Sequence, residues 1–223
     1  MSDQYILQIS PFCQIIQPTI GVLTYIGDAH ADGFKNRLEK LKEKLLLFTH
    51  VQRLVTGIDS LQPEEWALIN EKHPNLFSWS RNKKTTLQIL QETTINNSTE
   101  LVGLYQGIEQ KLVLPFADQI SINNGITCWS CMLALKYTIE IIRERICILE
   151  PVQMRMQLKN GINHCFLIND SYSNDLSSLS LGLTYLKQQA ANQKTTVIVS
   201  DILEAGVSEK ERSEERRVGK ECL

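Results

Sequence analysis

Two different hydrophobic periods alternate along the first third of the chain. Short, β-prone apolar runs, such as residues 21–27, have the composition of buried parallel strands. Between them, large apolar residues recur at spacings of three and four, which is typical of an amphipathic helix. The predicted elements are a strand at 21–27, a helix at 36–50, a strand at 52–58, a helix at 62–73 and a strand at 75–80. This β-α-β-α-β order predicts a parallel sheet covered by helices.

The pattern changes from Thr85 onwards. Three segments alternate or turn back in a way that indicates antiparallel strands. They are residues 86–95, 100–106 and 111–115. Residues 121–147 then predict one long helix. Glu150-Pro151 ends that helix, because proline disfavours helical backbone in the residue before it, and we place a domain boundary there.

A second α/β domain is predicted to begin after this boundary, with only its first elements present. Its hairpin is predicted from two strands around the turn Asn160-Gly161, which is a strong hairpin signal. The strands are residues 153–159 and 165–169, and a further buried strand is predicted at 195–200.

The stretch at residues 166–183, FLINDSYSNDLSSLSLGL, predicts a buried strand, a polar loop and an amphipathic helix. Asp175 or Ser177 can cap this helix, and the free amides of its first turn favour an anion. Strand end, polar loop and helix start together are typical of a nucleotide site in an α/β fold. Most such joints are plain connections, so the loop alone does not decide between these interpretations.

Composition excludes several classes of function. Of the 223 residues, 43% are hydrophobic and 22% are charged, and the net charge is -2. No basic excess is present for binding nucleic acid, and no apolar run is long enough to insert into a membrane. The N-terminal residues lack the basic start and apolar core of a signal peptide, so we expect a cytoplasmic protein with reduced thiols.

One cysteine pair, Cys128 and Cys131, has the spacing of a redox or zinc half-site. A zinc site needs a second pair of ligands, and none has a suitable spacing. We therefore favour the interpretation that both are small residues on a buried helix.

The last residues, 212–223, show no apolar period and are typical of a solvated tail. The string RSEERRVGKEC also resembles the conceptual translation of a sequencing adapter. We therefore expect residues after about Glu211 to be a non-native tail.

Two long motifs, PTIGVLTYIGDAHADGF and LEPVQMRMQLKNGINHCFLINDSYSNDLSSL, resemble the Mur ligases. Among these, the chain is most similar to members that add D-alanyl-D-alanine to UDP-N-acetylmuramoyl tripeptide in peptidoglycan synthesis. The sequence around Arg155 and Asp170 is more similar to the form that is fused to a C-terminal alanine racemase, and this chain does not include the racemase part. The resemblance implies a partial central ATP-binding domain at residues 1–149, with a parallel sheet, helices and antiparallel strands. It implies the start of a Rossmann-like C-terminal domain at residues 150–211.

Catalysis in these enzymes proceeds through an acyl phosphate formed with ATP, and the resemblance implies ATP and Mg2+ as cofactors. His30 matches the histidine that helps to hold magnesium near the acyl phosphate. Lys44 matches the lysine that the family carbamylates, which replaces a cation by the anionic oxygen donor that a hard metal ion prefers. Taken without the resemblance, His30 is a structural hydrogen-bonding residue and Lys44 a solvated helix lysine.

Five further residues match nucleotide-binding positions of the family. They are Asn124 near the adenine, Arg155 near the phosphates, Asp170 on the ribose hydroxyls, and Tyr172 and Asp175 in the same loop. An arginine presents a fixed fork of donors that suits phosphate oxygens. The alternatives are a helix cap for Asn124 and a surface strand residue for Arg155.

Departures from the family pattern limit the prediction. The chain contains no glycine-rich loop ending in lysine and threonine, whose amides would cradle phosphate. Ile6 and Tyr25 stand where the family has a glutamate and an asparagine. We therefore expect an internal fragment of a ligase that is inactive by itself. The alternative is a non-catalytic relative that binds a nucleotide or a partner protein.

Overall fold

The computed structural model describes residues 15, 17–27, 34–150, 152, 154–163, 165–172, 176–190 and 193–200. The chain divides into two compact units. The first comprises Met1–Ile26 and Leu38–Glu150, and the second comprises Gly27–Arg37 and Pro151–Leu223.

A six-stranded sheet organises the first unit, with its strands in sequence order. The strands are β1 (Ile20–Leu23), β2 (Arg53–Gly57), β3 (Leu76–Ser80), β4 (Leu87–Ile95), β5 (Ser98–Tyr105) and β6 (Ile108–Leu114). Strands β1 to β4 pair in parallel, and β4, β5 and β6 pair in antiparallel fashion. This confirms the predicted fold class, a parallel sheet with helices plus antiparallel strands.

Helices cover both faces of this sheet. They are α1 (Arg37–Leu46), α2 (Pro63–Lys72), α3 (Gln119–Ala134) and α4 (Ile139–Ile146). Neighbouring residues of β2 point to opposite faces, as strand geometry requires. Leu54 belongs to the core cluster that contains residues of α1 and α2, whereas Val55 belongs to the larger cluster with residues of α3 and α4.

Close contact between α3 and the sheet depends on Gly125. A Cβ atom at this position would lie 2.8 Å from both methyl carbons of Leu114 on β6, and Leu114 is fully buried. The absence of a side chain therefore lets the helix backbone approach the strand.

The prediction of one long helix at residues 121–147 was wrong. The helix ends at Ala134, and Lys136 adopts a left-handed φ of 65° before α4 begins. The amides of Lys136 and Tyr137 donate to the carbonyls of Leu133 and Met132, which closes the helix end without a glycine. The turn returns Ile142 and Ile146 to the larger core cluster, and this burial favours the break.

The described part of the second unit contains a two-stranded sheet and one helix. Strands β7 (Gln157–Asn160) and β8 (Phe166–Asn169) form an antiparallel hairpin, and α5 spans Leu176–Ala190. The predicted hairpin is therefore present, but residues 161–165 connect its strands, and the amide of Gly161 donates to the carbonyl of Cys165.

Two local predictions in the second unit were wrong, and a third is only partly covered by the described residues. Phe166 is 59% exposed, so β8 is not a buried strand. Residues 195–200 form no strand, and Ile198 is 94% exposed. Of the two predicted cap residues, Ser177 lies inside α5, and Asp175 lies outside the described residues, so the cap stays a prediction. Strand pairing and burial depend on distant partners, which a local apolar run does not specify.

Candidate functional site

Polar side chains meet at the carboxyl ends of β2 and β3. Asp59 follows β2, and Ser80 is the last residue of β3. The Ser80 hydroxyl donates to Asp59 Oδ1, and the backbone amide of Arg81 donates to Asp59 Oδ2 at 2.9 Å. Asp59 therefore ties the ends of two parallel strands together at the edge where α/β folds place their ligand sites.

The Arg81 guanidinium lies at the centre of this polar network. Its Nε and Nη2 donate to Glu92 Oε2 at 2.8 and 2.7 Å, and Nη2 also donates to Asn123 Oδ1 at 2.8 Å. Its Nη1 lies 3.7 Å from Asp59 Oδ2, and the guanidinium carbon lies 5.3 Å from the centre of the Trp79 ring. Because Nε and Nη2 donate to protein oxygens and Nη1 lies at ion-pair distance from Asp59, Arg81 joins the strand ends to α3.

The head of α3 carries the predicted adenine residue, Asn124. Asp118 is the N-cap of this helix, because its carboxylate accepts from the amide of Ser121 at 2.8 Å. The alternative that Asn124 is a helix cap was therefore wrong. Asn124 lies further along α3 and is exposed, while its neighbour Asn123 is held by Arg81.

Of the two predicted metal ligands, Lys44 is among the described residues and His30 is not. Lys44 occupies the last turn of α1 and is half-buried. His30 lies outside the described residues. Within the described ranges, no three residues among His, Cys, Asp and Glu form a cluster that could hold a metal ion.

In the second unit, three predicted nucleotide residues come together after β8. The amide of Met156 donates to Asp170 Oδ1 at 3.1 Å, which fixes the carboxylate beside the loop that carries Arg155. The Arg155 guanidinium carbon lies 4.2 Å from the centre of the Tyr172 ring. Asp175, the third predicted residue of the loop after β8, is not among the described residues.

Backbone strain marks the segment around Arg155. Met154 and Met156, on either side of it, have φ values of 62° and 45°. Non-glycine residues rarely adopt this left-handed conformation, and such outliers concentrate at functional sites. The amide of Tyr172 donates to the carbonyl of Met154 at 3.1 Å, which holds the segment against the loop after β8.

The cysteine pair, predicted to be small residues on a buried helix, lies on α3, which packs into the larger core cluster. Cys128 is exposed, and Cys131 is half-buried against that cluster. Burial raises the pKa of the Cys128 thiol, and burial followed by the neighbouring Cys128 raises the pKa of Cys131 to about 11. Both thiols are therefore protonated at neutral pH, whereas a redox nucleophile has a lowered pKa.

Sequence reasoning missed the network of Asp59, Ser80, Arg81, Glu92 and Asn123. A signal was available, since Asp59 and Arg81 directly follow the strands predicted at 52–58 and 75–80. Carboxyl ends of neighbouring parallel strands share one edge of a sheet. The sequence gives no such signal for Glu92. This residue lies within β4, and only the pairing of the strands in the folded sheet brings it next to Arg81.

Comparison with known proteins supports the resemblance found in the motifs. The family model described as "Mur ligase middle domain" matches residues 1–132, which is more than half of the chain. The chain belongs to the Mur ligase family. A curated relative, the UDP-N-acetylmuramoyl-tripeptide–D-alanyl-D-alanine ligase of Rickettsia prowazekii, is 22% identical over 213 residues, which cover 93% of this chain and 47% of the relative.

Solved Mur ligase structures share the fold. MurF from Acinetobacter baumannii superposes with a TM-score of 0.77 at 19% identity, covering 93% of this chain and 45% of that one. MurF from Thermotoga maritima, solved in complex with ADP, superposes with a TM-score of 0.74 at 18% identity, covering 93% of this chain and 47% of that one. This member of the family therefore spans about half the length of the relatives it matches. No helix in its described part has the length and apolar character needed to cross a membrane.

Proposed function

We propose that this Mur ligase chain is part of an ATP-dependent ligase that adds D-alanyl-D-alanine to UDP-N-acetylmuramoyl tripeptide in peptidoglycan synthesis. Family membership supports an amide-forming ligase that uses ATP. The specific substrates are supported by the name of the Rickettsia relative and by the two MurF structures. We place this activity in the cytoplasm, where the nucleotide-linked substrate would be available to it.

The observation that carries the proposal is the grouping of Asp170, Arg155 and Tyr172 after β8. Arg155 is exposed, and its guanidinium carbon lies over the Tyr172 ring, 4.2 Å from the ring centre. Within the described part of the chain, the Arg155 side chain forms no hydrogen bond or ion pair. A guanidinium in this state is suited to donate to phosphate oxygens.

Asp170 has the chemistry of a ribose ligand in the same proposal. A carboxylate can accept hydrogen bonds from several donors at once, and the Met156 amide is one of its protein partners. The ribose hydroxyls of ATP are proposed as further donors to this carboxylate. Asp175 is proposed to complete this loop, and Asn124 of the first unit is proposed as an adenine contact on the strength of the resemblance.

Mg2+ is the second proposed cofactor. We propose His30 and a carbamylated Lys44 as its protein ligands, on the resemblance alone. An unmodified lysine is a cation and cannot bind magnesium, so the half-buried Lys44 fits the ion only after carbamylation. When bound, the ion would offset negative charge on the transferring phosphoryl group.

Nucleotide binding is the first test, because it does not require turnover. A fluorescent ATP analogue titrated into the 223-residue chain should bind, and Asp170→Asn and Arg155→Met should each weaken binding at least tenfold, about 1.4 kcal/mol. Glu109→Gln and Arg145→Met remove the same charges from exposed positions in the first unit, and both variants should bind the analogue as the parent does. Equal affinity in all five proteins would refute the assignment of the nucleotide site.

Turnover is the second test. We propose that the chain by itself does not couple ATP hydrolysis to amide formation, because it has no glycine-rich phosphate loop. Phosphate release from ATP with UDP-N-acetylmuramoyl tripeptide and D-alanyl-D-alanine would be measured for this chain. The same assay applies to a longer protein that includes the loop. Activity of the chain alone would contradict the proposed inactivity, and an inactive longer protein would favour the non-catalytic alternative.

A further inference from the structure

Arg155 and Tyr172 of the second unit are held together through their backbones. The amide of Tyr172 donates to the carbonyl of Met154, the residue before Arg155, at 3.1 Å. The Arg155 guanidinium carbon lies 4.2 Å from the centre of the Tyr172 ring. A cation within about 6 Å of a ring centre is attracted by the negative face of the ring. The pair is therefore a cation–π contact between two segments that a backbone hydrogen bond brings together.

The backbone around Arg155 is fixed on both sides. The amide of Met156 donates to Asp170 Oδ1 at 3.1 Å. Met154 and Met156 keep left-handed φ values, which persist only where the surrounding structure holds them. The Arg155 side chain has several rotatable bonds beyond this fixed backbone. The Tyr172 ring is the described group that limits where its guanidinium can lie.

The Tyr172 side chain is not part of the core of the second unit. Tyr172 is 62% exposed. Within the described part of the chain, its hydroxyl forms no hydrogen bond. Substitution of Tyr172 should therefore remove the contact with Arg155 and leave the core intact.

A ring face suits an arginine that must also bind an anion. A carboxylate partner takes up N–H donors of a guanidinium, as Glu92 takes up Nε and Nη2 of Arg81 in the first unit. The face of an aromatic ring attracts the same cation without offering it an oxygen acceptor. Tyr172 can thus hold Arg155 while the guanidinium still donates to phosphate oxygens.

We propose that Tyr172 is a positioning residue for nucleotide binding. It orients the Arg155 guanidinium before the phosphates bind, and it does not contact the nucleotide itself. The inference rests on the phosphate contact proposed above for Arg155. A side chain that is ordered in advance loses less conformational entropy on binding. Cation–π attraction at an exposed site is weak, and its loss corresponds to a fall of about two- to fivefold in affinity.

The affinity of the full 223-residue chain for a fluorescent ATP analogue tests this role. Tyr172→Phe keeps the ring and should bind as the parent does, whereas Tyr172→Leu should bind about two- to fivefold more weakly. Fluorinated phenylalanines in place of Tyr172 are more specific, because each added fluorine weakens the negative face of the ring with little change in its shape. Affinity should fall in steps from phenylalanine through its mono-, di- and trifluoro forms. The same series at Tyr137, an exposed tyrosine of the first unit, should leave affinity unchanged.

A double-variant cycle separates this role from direct contact with the nucleotide. When Tyr172→Leu is added to Arg155→Met, affinity should not fall any further. A further fall, or an affinity that does not depend on ring fluorination, would overturn the positioning role and leave the proposed nucleotide site in place. No binding by the parent, or unchanged binding in Arg155→Met, would overturn the proposed nucleotide site as well. Circular dichroism would verify that each variant is folded.

Discussion

The ion pair between Arg81 and Glu92 should be a principal contributor to the stability of the first unit. Arg81 donates from Nε and Nη2 to the same Glu92 oxygen, and the same guanidinium reaches Asn123 on α3. Arg81→Met keeps much of the side-chain length and removes the charge and all donors. Glu92→Gln removes the other charge, and the double variant completes a cycle that isolates the pair.

The expected magnitude follows from burial. A fully exposed ion pair contributes less than about 1 kcal/mol. Hydrogen bonds to charged groups contribute about 1.5–3 kcal/mol. The Arg81 and Glu92 side chains are only 24% and 21% exposed, so a coupling free energy of about 1–2 kcal/mol is expected. Arg81→Met alone should lower the free energy of unfolding by about 2–3 kcal/mol, because Asp59 and Asn123 also lose a partner.

Tryptophan fluorescence during urea unfolding measures these free energies in the first unit alone. All three tryptophans of the chain, Trp66, Trp79 and Trp129, lie in that unit. If the free energy of unfolding falls with urea concentration at the same slope in a variant and in the parent, the two proteins expose the same surface on unfolding. A coupling below about 0.5 kcal/mol would refute the reasoning, since the pair would then behave as if exposed.

Three further substitutions test packing and burial in the first unit. Gly125→Ala should lower the free energy of unfolding in urea by about 1–3 kcal/mol, because its Cβ would overlap a buried leucine of β6. This overlap should outweigh the preference of a helix for alanine over glycine, which is about 1 kcal/mol. Gly182→Ala, where the nearest atoms lie at 3.7 Å or more, is the matched control and should be neutral or stabilising by circular dichroism. Thr127→Val should lower the free energy of unfolding by about 1–3 kcal/mol, because the buried indole N–H of Trp79 would lose the hydroxyl that accepts from it at 3.1 Å. A smaller decrease would mean that a water molecule replaces the hydroxyl as acceptor. Burial, followed by the charge of the adjacent Lys72, lowers the pKa of His73 below its ordinary value of 6.5, so the unfolded chain binds the proton more readily. The free energy of unfolding of the parent should therefore fall as the pH drops below 6.5. The His73→Gln variant should lose less of its free energy of unfolding over the same pH range. Parallel dependences of unfolding free energy on pH in the two proteins would contradict this prediction.

The sequence by itself determined the order of strands and helices in the first unit. Alternation of apolar runs with amphipathic segments reflects local geometry, so β1 to β6, α1 and α2 could be predicted within a few residues. The family resemblance rested on long motifs, and the matching family model supports it. Asp59 and Arg81 could also have been found, because each follows a predicted strand.

Only the tertiary structure decided where the long predicted helix breaks and which apolar runs are buried. Lys136 gives no local signal for a left-handed turn, and the turn forms because Ile142 and Ile146 then reach the core of the first unit. Exposure of Phe166 and Ile198 likewise depends on the absence of covering neighbours among the described residues. The partners of Arg81 come from the segment after β2, from β4 and from α3, which are distant in sequence. Burial and long-range pairing are properties of the whole fold, so a local pattern cannot specify them.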